Sequence, residues 1–198
     1  MSFERDDWDS IYRRRSLDEL PWERGKPREM LVELVESGMI EKGRALDTCC
    51  GAGTNGIYLA ENGFDVVGID ISSKAIEISR KKAEEANVQM DLRVQDFLEL
   101  SFDDGEFDFV LDSGCFHHVA AEKRTTYIEG VHRVLKKGGK YLLLCFSHKN
   151  GPGWNQFTEL QIKQLFSKHF DNLFMKDVEF LEGDQVYRFF LNSLMVRI

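Results

Sequence analysis

Three aspartates close three short apolar runs, and a glycine-rich turn follows the first. Leu46-Asp47-Thr48-Cys49-Cys50-Gly51-Ala52-Gly53-Thr54-Asn55-Gly56 ends one run and leads into helix-forming residues. Gly51, Gly53 and Gly56 spell G-x-G-x-x-G, whose missing side chains let backbone approach a ligand at a helix N-terminus. In a dinucleotide protein this turn faces pyrophosphate, and Asp47 would then set negative charge beside negative charge. A ligand carrying an ammonium and a second cationic centre suits that carboxylate better. The plainer reading is that Asp47 caps the turn and the glycines permit it. Asp70 ends Val67-Gly68-Ile69-Asp70-Ile71, 17 positions after Gly53 (70 − 53), where a carboxylate accepts from both hydroxyls of a ribose. Gln95-Asp96-Phe97 closes a third run, with Asp96 placed to accept from an adenine amino group while Phe97 packs on the ring. Aspartate is also a favoured turn residue. Its recurrence at three successive ends is what points to an adenosine-bearing ligand.

A fourth run ends in Asp112-Ser113-Gly114-Cys115-Phe116-His117-His118. One histidine here could hydrogen-bond a second reactant or take its proton, because an imidazole titrates near neutrality; a structural histidine is the alternative. With Cys115 they form no complete ligand set at any usual spacing, so no metal is expected. Cys115 reads as a packing residue, as buried free cysteines usually are. Trp8, Tyr12, Trp22 and Trp154 are aromatic candidates for attracting a cation and excluding water, and each could equally be core.

These groups need a scaffold that brings strand ends together. Arg44 to Cys49, Asp65 to Ile71, Met90 to Asp96, Phe107 to Ser113 and Lys140 to Ser147 read as strands. Helical patterns lie between them at Ser73 to Ala86 and Glu122 to Leu135. Such alternation builds a parallel sheet by right-handed crossovers, with ligands beyond the carboxyl ends of the strands. Thr158 and Gln161 have capping-box spacing for a helix to about Phe170. Asn172 to Phe180 and Gln185 to Ile198 follow as two strands around Glu182-Gly183-Asp184, which must be antiparallel. Trp8 to Arg15 and Pro27 to Gly38 read as helices of an N-terminal cap over residues 1–42, broken at Leu20-Pro21-Trp22. The expected fold is α/β: a Rossmann-like, seven-stranded, mostly parallel sheet with a C-terminal antiparallel hairpin and helices on both faces, in a single domain over residues 1–198.

The bulk numbers agree with one such domain. The chain has 198 residues, 42% of them apolar and 30% charged, and a net charge of −8 with both signs interspersed. No basic block is present to neutralise a phosphate backbone, which argues against nucleic acid as a partner. Cys49, Cys50, Cys115 and Cys145 lack the spacing of a disulfide framework and fit reduced thiols in a cytoplasm. No apolar run approaches the ~20 residues of a membrane span, and the first residues have no apolar signal core. A cytoplasmic protein is expected. Nothing in the pattern specifies an oligomeric state.

The chain resembles class I S-adenosylmethionine-dependent methyltransferases. The matching stretches are Leu46-Asp47-x-x-Cys50-Gly51-x-Gly53, Gly68-Ile69-Asp70-Ile71-Ser72, Asp96, Phe107-Asp108-Phe109-Val110 and Arg133-Val134-Leu135-Lys136-Lys137-Gly138-Gly139. They span roughly residues 44 to 147, and the closing hairpin extends the likeness to the C-terminus. The resemblance implies S-adenosyl-L-methionine as cofactor, held by Asp47, Cys49, Gly51, Gly53, Asp70, Ile71, Asp96, Phe97 and Asp112. It places a small methyl acceptor against Trp22, His117, His118 and Trp154. Cys49 stands where the family usually has glycine. The N/D-P-P-Y/F segment of enzymes acting on exocyclic base amines is missing, as is the Pro-Cys context of those that methylate cytosine carbon. Leu20-Pro21-Trp22 is faintly similar to the N-terminal segment of the thiopurine and tellurite-resistance subgroup, whose members methylate sulfur or other chalcogens. Two alternatives stand beside this reading: an NAD(P)-linked oxidoreductase, supported by the glycine pattern and Asp70, and a non-catalytic cofactor-binding subunit.

Overall fold

A computed structural model describes residues 5–152, 155–182 and 186–198. Successive strand residues feed two separate apolar layers, as the two-residue period of a strand requires. Ala45 of β1 (Arg44–Thr48), Phe109 and Leu111 of β4 (Phe107–Ser113) and Leu142 of β5 (Leu135–Phe146) face one layer. Met30, Leu31 and Leu34 of α2 (Glu29–Glu36) and Leu59 of α3 (Thr54–Glu61) cover it. Leu46, Val110, Tyr141 and Leu143 face the other. There they meet Tyr127, Ile128 and Val131 of α5 (Arg124–Val134) and Ile162 and Phe166 of α6 (Glu159–Phe166). Burial of each such side chain contributes about 1.5–3 kcal/mol, so both faces of the sheet must be covered by helices.

Seven strands form one sheet in the order β3-β2-β1-β4-β5-β7-β6, with β2 at Asp65–Asp70, β3 at Asp91–Val94, β6 at Phe170–Glu182 and β7 at Val186–Arg197. β1 to β5 pair in parallel, whereas β7 runs antiparallel to both β5 and β6. The expected sheet and closing hairpin are present. The strand order reverses between β1 and β4, which opens a crevice beyond their carboxyl ends. Two boundaries differ most from expectation: β5 starts at Leu135 rather than Lys140, because Leu135 pairs with Phe107 across a bulge, and α6 ends at Phe166 rather than about Phe170, which already opens β6 opposite Arg197. Of the turn expected at Glu182-Gly183-Asp184, residues 183–185 lie outside the described residues.

α1 (Arg5–Arg14) and α2 sit before the first strand, with a single 3-10 turn at Leu17–Glu19 between them. α1 is anchored on α4 (Ser73–Glu85) through one carboxylate. Asp9 Oδ1 accepts from the Lys74 amide at 2.9 Å and from the hydroxyls of Ser72 and Ser73 at 2.8 and 3.1 Å. A negative charge on the first turn of α4 meets the exposed amides and positive end of that helix. The Lys74 amide and the hydroxyls hold the Asp9 carboxyl below the usual carboxylate range despite some burial.

Candidate active site

A cavity of about 440 Å³ opens at the carboxyl ends of β1, β2 and β4, roofed by α1 and the segment leading to α2. Its size suits a drug-sized ligand. The roof is aromatic: Trp8 and Trp22 meet edge to face with centroids 5.7 Å apart, and Trp22 Nε1 donates to the Tyr12 hydroxyl at 3.1 Å. The floor is the turn after β1. Gly51 has φ +55°, and a Cβ built there would lie 2.7 Å from the Tyr12 hydroxyl oxygen. The roof therefore closes this far only because residue 51 lacks a side chain.

Asp70 lies at the tip of β2 in the cavity wall. Its Oδ2 accepts from the Gly51 amide and its Oδ1 from the Ser72 amide, each at 2.9 Å. Each oxygen keeps a lone pair for a further donor. Burial to 7% exposure pushes the carboxyl up to about 6, and the amides of Ser72 and Gly51 resist that rise. Ile71 and Phe97 line the same wall, and Phe97 sets its edge on Tyr127 with centroids 5.4 Å apart.

Asp47 is not in the cavity wall but behind the glycine turn, 1% exposed, and its Oδ2 has no hydrogen-bond partner among the described residues. Burial, followed by the charges of Asp70 and Asp112, raises its carboxyl to about 8. A buried carboxylate in that condition is costly unless a cation comes near it. Gly53 also stands back from the cavity: it starts α3 at φ +82°, where a Cβ would collide with the Ser79 hydroxyl. Asp96 is half-buried outside the wall and accepts from the Leu98 amide at 2.9 Å.

For Asp112 the expectation of a cofactor contact is corrected. The side chain is fully buried away from the cavity and saturated by protein donors: the Tyr127 hydroxyl at 2.5 Å, and the amides of Cys115 at 2.6 Å and Phe116 at 3.0 Å. A carboxylate already accepting this many bonds holds the loop after β4 in shape. A second correction concerns the thiols. Cys49 and Cys115, expected to be reduced, are joined by a disulfide with Cα atoms 6.0 Å apart. β1 and β4 are parallel neighbours with Thr48 beside Asp112, so the residues just past their ends lie side by side. A separation of 66 positions hides that pairing in the sequence. Cys50 and Cys145 are free and buried.

The opposite wall carries His117 and His118 together with Trp22; Trp154, expected there too, lies outside the described residues. His117 is 3% exposed and stacks on Phe146, with centroids 3.8 Å apart and planes 22° apart. Its Nδ1 has no hydrogen-bond partner among the described residues. Burial, and then the nearby charges of His118, Arg188 and Arg28, hold it well below the ordinary histidine range. Burial brings His118 down to about 4. Both imidazoles are neutral at pH 7. Among the described residues no group of His, Cys, Asp or Glu could hold a metal ion, and no helix is long and apolar enough to cross a membrane.

Arg28, Asn55, Ser113, Phe146, Arg188 and Phe190 also line the cavity and were not anticipated. Phe146 ends β5, so the rule that ligands lie beyond strand ends already covered it. Arg188 and Phe190 reach this rim because β7 runs backwards, placing Phe190 opposite Phe146. No local pattern around Arg28 marks it out; its amide donates to Asn55 Oδ1 at 3.0 Å and its Nε to Ser113 Oγ at 3.2 Å.

Comparison with known proteins bears on this geometry. Residues 45–139 match the family model described as a methyltransferase domain. The chain is 31% identical over 176 residues to the 2-heptyl-1-hydroxyquinolin-4(1H)-one methyltransferase of Mycobacteroides abscessus, covering 83% of this chain and 76% of that protein. It is 30% identical over 170 residues to the probable thiol methyltransferase 2 of Arabidopsis thaliana, covering 82% and 74% respectively. The 1,6-didemethyltoxoflavin-N1-methyltransferase of Burkholderia thailandensis, solved with 1,6-didemethyltoxoflavin and S-adenosylhomocysteine bound, shares the fold. Its TM-score is 0.77 at 21% identity, over 98% of this chain and 86% of that one.

Proposed function

The chain belongs to the class I S-adenosylmethionine-dependent methyltransferases that act on small molecules, and from that premise we propose how one cavity serves both reactants. The cofactor is S-adenosyl-L-methionine, and it supplies an electrophilic methyl group on a sulfonium that leaves without acid assistance. We assign its adenosine half to Asp70, Ile71 and Phe97, and its amino-acid half to the turn at Gly51. Asp70 carries this reading: it faces the cavity beneath the roof, is tied to Gly51, and has acceptor capacity left for ribose hydroxyls. Asp47 acts from behind the turn, where an ammonium or sulfonium would supply the positive field its buried carboxylate lacks.

The acceptor then lies against Trp22, His117 and Phe146. The chain's contribution is chiefly alignment, since holding reactants at ~3–3.5 Å in line supplies ~7–11 kcal/mol of barrier reduction. Trp8, Tyr12 and Trp22 line the cavity, where aromatic side chains exclude water and attract a cation through their ring faces. Residues 1–42, of which 1–4 lie outside the described residues, act as a cap within one catalytic domain. The acidic, mixed charge of the chain fits a diffusible acceptor rather than a nucleic-acid partner.

Calorimetric titration with S-adenosylhomocysteine and with NADH tests the cofactor assignment. Binding of the homocysteine compound, lost in Asp70→Ala, is expected. Tight NADH binding with none for the homocysteine compound would overturn it. Transfer of labelled methyl to a panel of small nucleophiles tests the acceptor half.

A further inference from the structure

One covalent bond joins the two banks of the crevice. Cys49 lies just past β1 and Cys115 just past β4, where the strand order reverses, and both residues of this disulfide line the cavity. The bank past β1 continues from Cys49 into Gly51, whose amide is tied to Asp70. The bank past β4 continues from Cys115 into His117 and His118 on the opposite wall. Each bank is also fastened to the sheet without the bond. The Cys50 amide donates to the Ile69 carbonyl at 2.8 Å, and the Cys115 and Phe116 amides donate to the Asp112 carboxylate at 2.6 and 3.0 Å. Opening the disulfide therefore leaves both loops anchored and changes how they sit across the crevice. Cys49 also takes φ +53°, a left-handed backbone that a residue with a side chain keeps only where its surroundings impose it.

We propose that Cys49–Cys115 is a redox-active site that a small thiol opens from within the cavity, and that its closed form is the one that holds the cofactor tightly. This rests on the assignment of the cofactor's amino-acid half to the turn at Gly51. A closed bond fixes that turn before any ligand arrives, so less ordering remains to be done on binding. Cys49 is half-buried whereas Cys115 is 2% exposed, so the incoming thiolate forms its bond to the Cys49 sulfur. The electron pair of the sulfur–sulfur bond leaves on Cys115, which takes up a proton. The second thiol of a dithiol reagent then attacks the reagent's own sulfur in the mixed disulfide and releases Cys49 as a thiol. Two electrons and two protons pass to the protein, and the reagent ends as a cyclic disulfide. A ligand that prefers the closed form must, by linkage, make the bond harder to open.

The test measures S-adenosylhomocysteine affinity by calorimetry on the oxidised protein, after reduction with dithiothreitol, and after reoxidation. Alkylation and mass spectrometry report the state of Cys49 and Cys115 at each stage. Reduction is expected to weaken binding by at least about fivefold, the lower end of common coupling between sites, and reoxidation to restore it. Cys115→Ser should bind like the reduced protein and ignore dithiothreitol. Saturating S-adenosylhomocysteine should in turn slow the reductive labelling of both cysteines by at least about fivefold. Equal or tighter binding after reduction, labelling untouched by S-adenosylhomocysteine, or a bond that does not re-form overturns the proposal. Failure of S-adenosylhomocysteine to bind in either state would instead strike the underlying cofactor assignment, and the proposal would fall with it.

Discussion

The amide of Gly51 donates to Oδ2 of Asp70 at 2.9 Å, so the turn after β1 is tied to the tip of β2. Because the same turn lies under the Tyr12 hydroxyl, floor, wall and roof of this side of the cavity are linked through two residues. A change at either should be felt as a loss of preorganisation as well as a lost contact.

Asp70→Asn keeps the shape and removes the charge, while Asp70→Ala removes both. Affinity for S-adenosylhomocysteine should weaken by at least about 1.5 kcal/mol in the alanine variant, the scale for hydrogen bonds to a charged group. Titration calorimetry reads this directly, and unchanged affinity in a folded Asp70→Ala variant would refute the ribose-binding role.

The buried acids set the direction of the pH dependence. Asp47 is raised to about 8, and Asp70 and Asp112 to about 6, from an ordinary 3.8. Through these acids the folded chain binds more protons than the unfolded chain above about pH 4, but His117 and His118, held low, oppose them up to about pH 6.5; from there to about pH 8 the excess on Asp47 remains, and stability falls as pH rises. Thermal melts of the ligand-free protein should show a higher midpoint at about pH 6.5 than at about pH 8.5. Asp47→Asn should flatten that slope and stabilise the ligand-free protein at pH 8 by about 1–3 kcal/mol, while weakening S-adenosylhomocysteine binding. A variant less stable at pH 8 and unchanged in binding would contradict the account of Asp47 as a carboxylate lacking its cation.

Asp9→Ala removes the carboxylate that fastens α1 to the first turn of α4. A loss of about 1 kcal/mol, typical of helix capping contacts, should appear mostly as local opening. Amide exchange is expected to speed up in α1 and not in β1 or β4, with faster release of S-adenosylhomocysteine. Uniform acceleration across the sheet would show that α1 does not open separately.

Gly51→Ala combines a left-handed backbone, costing about 1–2 kcal/mol for a residue with a side chain, with a methyl pressed on the Tyr12 hydroxyl. The steric part should be relieved by Tyr12→Phe. A double-mutant cycle on S-adenosylhomocysteine affinity should therefore give the pair a smaller loss than the sum of the single changes. Strict additivity would rule out the contact as the source of the defect.

This side of the cavity rim was largely legible in the sequence because it is local: Gly51, Asp70, Ile71 and Phe97 each end or follow a strand that alternation identified, and parallel pairing brings strand ends to one rim. What failed was depth. Asp47 and Asp112 also close strands, yet the register turns both into the protein, Asp112 among tyrosine hydroxyls and loop amides. Pattern gives the end of a strand but not which side of the rim a side chain takes. The Cys49–Cys115 bond and the Arg188–Phe146 approach were hidden for another reason: each depends on which strands are neighbours, and that order is not a local property.

The reversed course of β7 between β5 and β6 divides responsibilities along the chain. Everything assigned to the donor comes from residues before position 98, whereas Phe146, Arg188 and Phe190 arrive from the final third. On those assignments, substitutions accumulating in that closing segment would reshape one wall of the acceptor's surroundings, opposite Trp22, while leaving every residue assigned to the donor in place, a modularity through which one scaffold can diversify its targets.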